Sequence, residues 1–173
     1  MAYIIFDTET TGLNPKMGDR IVEIAAVKVV NGRISNETFD SLINPHRLID
    51  HGAARVNRIT NEMLRNAPES SEVIPKFLDF VGSDTLVAHN AGFDLAFLAN
   101  EMMLLGLNTD SLPKSLCTLE LAKKKLPDLA RFNLNALIQH FGISTERRHR
   151  ALDDVLATAE VFCNLHEESP TLF

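Results

Sequence analysis

Tyr3-Ile4-Ile5-Phe6 is an unbroken apolar run, and it stops abruptly on Asp7-Thr8-Glu9-Thr10, followed by Thr11-Gly12-Leu13-Asn14-Pro15. An apolar run of this length with no polar break reads as a fully buried strand, and the Gly/Asn/Pro cluster marks its turn. Such a strand belongs in the middle of a sheet. The next stretch, IVEIAAVKVV, is β-branched and partly alternating. It runs into Asn31-Gly32, the strongest short hairpin signal. ISNETFDSLINP then reads as a third strand that Pro45 stops. The chain therefore opens as a three-stranded antiparallel meander.

Beyond it, residues 46–59 show little periodicity and read as a loop. Thr60 caps a short helix. Pro68-Glu69-Ser70-Ser71 starts another, with Val73, Ile74, Phe77, Leu78 and Val81 on one face. TLVAHN is a fourth strand. A helix over 93–105 ends at Gly106. SLCTLELAKK begins as a strand and continues as a helix, and two helical patterns follow at 132–141 and 150–166. This order predicts an α/β fold with a mixed sheet and helices packed on it. The 173 residues, 45% hydrophobic and 23% charged, suit one globular domain, 1–173, with a core over about 1–166 and a flexible end at 167–173.

Cys117 and Cys163 are far apart and in no metal-ligand spacing, as expected of reduced thiols in a soluble cytoplasmic protein. No stretch approaches the roughly 20 apolar residues of a membrane span, and the N-terminus lacks a signal peptide's basic region. The net charge of −6 argues against a passive nucleic-acid coat. Its distribution does not. Between Lys123 and Arg150 stand seven basic residues, opposed only by Asp128 and Glu146. A local basic face on an acidic protein fits an enzyme that holds a polyanion beside carboxylates. A solvated helix surface explains Lys123, Lys124 and Lys125 equally well.

Asp7 and Glu9 are two apart in an extended segment, so they point to one side and repel unless a cation joins them. Asp94 falls in the first turn of the helix after HNAGF, and Asp153 and Asp154 in that of the last helix. Each alone is explained by the helix dipole. Together, Asp7, Glu9, Asp94 and one of the last pair would form an all-oxygen anionic site suited to two Mg²⁺ or Mn²⁺ ions rather than zinc. Two such ions clamp a phosphodiester. His149 lies just ahead of the last helix and has the chemistry of a general base. The flanking arginines would draw phosphate. An exposed histidine in a basic loop is the alternative.

DTETTGL, HNAGFD and HRALDD, in this order, resemble the three motifs of the DEDDh (DnaQ-like) 3′→5′ exonucleases, and among them the proofreading epsilon subunit of bacterial DNA polymerase III and its homologues. The resemblance runs from residue 3 to about 165. It implies a ribonuclease H-like fold with a central mixed five-stranded sheet, metal ligation by Asp7, Glu9, Asp94 and Asp154, and His149 as base, leaving Asp153 a bystander. It also implies that Thr10, Thr11, Leu13, Asn90 and Phe93 line the terminal-nucleotide pocket. One departure is VNRIT where the family usually reads VHGIT: Asn57 replaces a nucleotide-contacting histidine and Arg58 a glycine. An asparagine can still hydrogen-bond phosphate or sugar. The expected partner is a single-stranded DNA 3′ end. The polymerase III alpha subunit is a candidate protein partner, although the tail by which the epsilon subunit binds it is missing after ESPTLF. The terminal Leu-Phe makes the sliding clamp another. An RNA-trimming exonuclease of the same family stays open, since discrimination at the 2′-OH depends on pocket shape. A silent binding module would lack a ligand or the base, and all five positions are filled.

Overall fold

A computed structural model describes residues 2–144 and 150–167 of the chain. His149, Arg147, Arg148 and the end at 168–173 lie outside the described residues, so the expectations placed on them are not addressed by the fold.

The meander forms as read. Strands β1 (Ala2–Thr10), β2 (Ile21–Val30) and β3 (Arg33–Leu42) pair antiparallel, with Asn31 and Gly32 at positive φ in the β2–β3 turn. Strands β4 (Thr85–Ala88) and β5 (Ser115–Cys117) then add in parallel on the other side of β1. The order is β3-β2-β1-β4-β5, so the apolar opening strand is the central one.

Side chains alternate along β1, and each set has its own cover. Ile4 and Phe6, with Ile24, Ala26 and Leu86, pack under α3 (Ser70–Val81) and α4 (Ala91–Leu104). Tyr3 and Ile5, with Ala25, Val27 and Val87, pack under α7 (Ala151–Glu167) through Ala151, Val155, Ala159 and Phe162. Helices α5 (Thr118–Lys125) and α6 (Leu134–Phe141) lean on the flank of α7 through Ala122, Leu137, Ile138 and Val161. The short helix α2 (Asn61–Leu64) is capped by Thr60, whose hydroxyl accepts from the Met63 N–H.

The stretch 46–59, expected to be a loop, contains helix α1 (His51–Asn57). Two turns are too short to declare a period. What holds them is tertiary: Ala53 and Ala54 pack on a small cluster of Val22, Ile49, Ile59 and Leu64. Helix α4 also starts two residues earlier than expected, because Asn90 takes a left-handed conformation (φ 66°) and turns the chain straight out of β4.

Candidate active site

The alternation of β1 continues past its apolar run and decides which acidic group goes where. Asp7 and Glu9 share the parity of Tyr3 and Ile5, so they emerge on the α7 side. Asp154 sits in the first turn of α7, and its ligand oxygen lies within 4.8 Å of those of Asp7 and Glu9. Of the acidic pair opening α7, it is therefore Asp154 that joins the cluster.

Asp94 arrives from the opposite face. It is buried at the start of α4, and its Oδ1 accepts from the Thr8 N–H at 3.0 Å and the Thr8 hydroxyl at 2.7 Å. It is outside the set of three converging oxygens, yet near enough for its charge to act on Asp7. The four acidic residues singled out in the sequence thus meet at the end of β1, three from one side and one from the other.

Charge at this place is expensive. Burial, then the charges of Asp94, Glu9, Asp154 and Glu23, hold the Asp7 carboxyl well above its usual range. Glu9 is pushed up to about 8 by burial and by Asp154, Glu23 and Asp94, with Arg150 partly opposing. Burial lifts Asp94 to about 7 despite the two bonds from Thr8, which favour its ionised form. Carboxylates that crowd and cannot comfortably ionise together are what a divalent cation relieves, and an all-oxygen set suits a hard ion. The residues present fit Mg²⁺ or Mn²⁺.

Beside this cluster opens a cleft of about 690 Å³, lined by Thr8, Glu9, Thr10, Leu13, Asn57 and Phe93 among others. Leu13 projects from its lip, 83% exposed. An apolar side chain held out over an acidic floor is a surface on which a base can rest while its phosphate faces the cluster.

Three residues expected at the nucleotide are placed differently from Leu13 and Phe93. Thr11 is fully buried and does not line the cleft. Its hydroxyl donates to Asp19 Oδ1 at 3.1 Å and accepts from the Arg20 N–H, and its carbonyl accepts from Asp50. Asn57 lines the cleft but is only 1% exposed. Its amide donates to the Thr10 carbonyl at 3.4 Å and accepts from the Ile59 N–H, so its polar atoms serve the backbone. Asn90 is exposed, makes no side-chain capping bond, and lies outside the cleft's lining. Arg150, counted among the phosphate-drawing arginines, is instead paired with Glu23.

Two acidic groups that sequence reasoning passed over shape the site. Asp19 accepts from Thr11 and from the Asn14 N–H, pairs with Arg47 at 3.2 Å, and lies so close under Gly12 that a Cβ there would meet its Oδ2 at 2.5 Å. It pins the 10–14 loop that carries Leu13. Nothing local to the sequence marks Asp19. Glu23 is different: a carboxylate inside the run IVEIAAV is buried by its surroundings, and a buried charge must find a partner.

The sequence model of the RNase_T exonuclease family matches residues 4–162. The chain belongs to that family. The chain is 44% identical over 168 residues to the DNA polymerase III subunit epsilon-like protein of Rhodobacter capsulatus, covering 95% of this chain and 24% of that one. It is 41% identical over 159 residues to the PolC-type DNA polymerase III of Clostridium perfringens, covering 92% of this chain and 11% of the polymerase. It therefore spans about a quarter and about a tenth of those relatives. Among solved structures it resembles Exonuclease X in complex with 5′ overhanging duplex DNA, with a TM-score of 0.78 and 32% identity over 96% of this chain and 92% of that one. It also shares its fold with Escherichia coli Exonuclease I bound to a dA16 oligonucleotide, at TM-score 0.85 and 19% identity, over 98% of this chain and 41% of that one. The fold is ribonuclease H-like, with the mixed five-stranded sheet expected of it.

Proposed function

We propose that this exonuclease removes 5′-mononucleotides from single-stranded or frayed DNA 3′ ends, and that it proofreads for a replicative polymerase. The observation that carries the reading is the convergence of Asp7, Glu9 and Asp154 within 4.8 Å of one another at the cleft that Leu13 and Phe93 line. With Asp94 behind Thr8, these residues would hold two Mg²⁺ or Mn²⁺ ions, which when bound supply Lewis acidity for phosphodiester hydrolysis. Leu13 and Phe93 take the terminal base, and Thr10 and Asn57 shape the wall beneath it. His149 precedes Arg150 at the head of α7 and serves as the general base that takes a proton from the attacking water.

A duplex end must fray before its terminal nucleotide can enter such a cleft. Mismatched ends fray more readily, which gives proofreading a physical basis. DNA rather than RNA is favoured by the relatives, which carry polymerase III names, and by the DNA-bound Exonuclease X. The polymerase III names of the relatives support a polymerase alpha subunit or a sliding clamp as the protein partner.

The test uses single-stranded DNA labelled at either end, and the matching RNAs, with Mg²⁺ or EDTA. Metal-dependent release of mononucleotides from the 3′ end of DNA, outpacing RNA, is the expected result. Release from the 5′ end, or equal turnover in EDTA, would refute the proposal. A rate ratio favouring RNA would move the assignment to an RNA-trimming enzyme.

A further inference from the structure

Strand β2 carries a carboxylate in the middle of its buried run. Glu23 is 1% exposed and stands directly opposite Glu9 in the β1–β2 register. Both side chains therefore rise on the α7 face. Glu9 faces the acidic cluster. Glu23 turns to the head of α7, where it accepts from Arg150 Nε at 2.9 and 3.1 Å, from the Arg150 terminal nitrogen, and from the Ala151 N–H at 3.0 Å.

Ala151 is the first residue of α7. The first N–H groups of a helix have no partner within it and are usually met by a local capping side chain. Here one is met from another element of the fold. The Arg150 fork closes on both oxygens of the same carboxylate, an arrangement that fixes direction as well as distance. One turn on, the Asp154 N–H donates to the Arg150 carbonyl at 3.1 Å. The path from the sheet to the Asp154 oxygen thus runs through Glu23, Arg150 and a single helical turn.

We infer that Glu23, acting through Arg150 and the Ala151 N–H, is a positioning residue of the catalytic centre: it sets where α7 begins and so holds Asp154 at ligand distance from Asp7 and Glu9. The inference rests on the proposed metal-dependent function. It differs from a purely electrostatic role in a way that can be measured. Glu23 is negative and Arg150 positive, so their through-space effects on a cation in the cluster have opposite signs. Their effects on the position of α7 have the same sign.

The experiment measures Mn²⁺ affinity by titration calorimetry, and kcat and KM on single-stranded DNA, for wild type, Glu23→Gln and Arg150→Gln. All are read at a temperature where circular dichroism shows each fully folded. Positioning predicts that both variants lose Mn²⁺ affinity and kcat by roughly 10–100-fold, the usual consequence of removing a partner that orients a ligand. KM should stay near wild type, because neither Glu23 nor Arg150 lines the cleft. The double variant should be no worse than the poorer single one, since both remove the same link.

Opposite changes in Mn²⁺ affinity, weaker for Glu23→Gln and tighter for Arg150→Gln, would overturn the inference in favour of field effects alone. Lower melting temperatures with unchanged affinity and kcat would reduce the pair to a stabilising bridge and also overturn it. Should Arg150→Gln not fold, Arg150→Lys keeps the charge but cannot span both oxygens, and the same loss is expected. Wild-type protein that binds Mn²⁺ yet degrades no nucleic acid would defeat the proposed function without touching this one, which the affinity arm still decides.

Discussion

Replacing Glu9 by Gln should make the metal-free protein more stable while destroying the site. Glu9 titrates near 8 in the fold against a usual value of 4.5. A carboxyl whose folded value is raised binds its proton more tightly when folded. Its contribution is fully present below 4.5 and is lost as pH rises through about 8. Each pH unit between those limits costs ~1.4 kcal/mol. From about pH 5.5 to about pH 7.5 the wild-type protein in EDTA should lose roughly 2.5 kcal/mol through this one group. Glu9→Gln has no such charge, and it also relieves Asp7 of one neighbour that holds its carboxyl up, so its loss over the same interval should be smaller by at least that amount. His89 works in the other direction. Burial lowers it to about 4, so its contribution is present above 6.5 and falls away as pH drops through 4. It is common to both proteins and cancels in the comparison. Urea unfolding at the two pH values in EDTA, repeated with millimolar Mn²⁺, is the assay. Mn²⁺ should restore the wild type at the higher pH, because binding favours the folded state, and should do little for the variant. Identical pH dependence in wild type and Glu9→Gln would refute the reasoning, since it would mean that Glu9 feels neither burial nor its neighbours.

Thr8→Val removes the 2.7 Å hydroxyl bond to Asp94, leaving a buried carboxylate less satisfied at a cost of about 1–3 kcal/mol; metal-dependent activity should need a higher pH, which a pH–rate profile checks. Gly12→Ala would force a Cβ to within 2.5 Å of the Asp19 carboxylate, so the 10–14 loop must shift; about 1–3 kcal/mol of stability should be lost and KM for single-stranded DNA should rise. Arg58→Gly relieves a left-handed residue at φ 59°, worth up to ~1 kcal/mol, and removes an exposed cation at the end of α1, whose residues line the cleft. The melting temperature should rise, and DNA binding should weaken with a shallower salt dependence in fluorescence anisotropy titrations.

Much of the fold was legible because local signals agreed with it. Tyr3 to Phe6 carries no polar residue, and only a strand covered on both faces can use such a run. Asn31-Gly32 supplies the two positive φ values that a tight hairpin turn demands. The periodic apolar faces of α3 and α7 marked where the sheet would be covered. Helix α1 was not legible, because its seven residues make no period and its hold on Ile49 and Ile59 depends on their being brought alongside.

The site divides in the same way. Chain alternation by itself put Asp7 and Glu9 on one side of a strand, and helix position put Asp94 and Asp154 in first turns. The motifs they sit in carried the family. Which face each acid approaches from is a different matter. Asp94 comes over the sheet on α4 and is bound by Thr8, while Asp154 comes under it on α7. The spacing of residues along a chain contains no information about that choice. The unexpected uses of Thr11, Asn57 and Arg150 have the same origin. Threonine, asparagine and arginine can bond backbone, carboxylate or ligand equally well, and only the neighbours assembled by the fold decide among them. Sequence determined the chemistry available to this protein. Tertiary packing decided which polar groups were spent on holding the chain, because a buried polar atom must be satisfied before it can serve anything else.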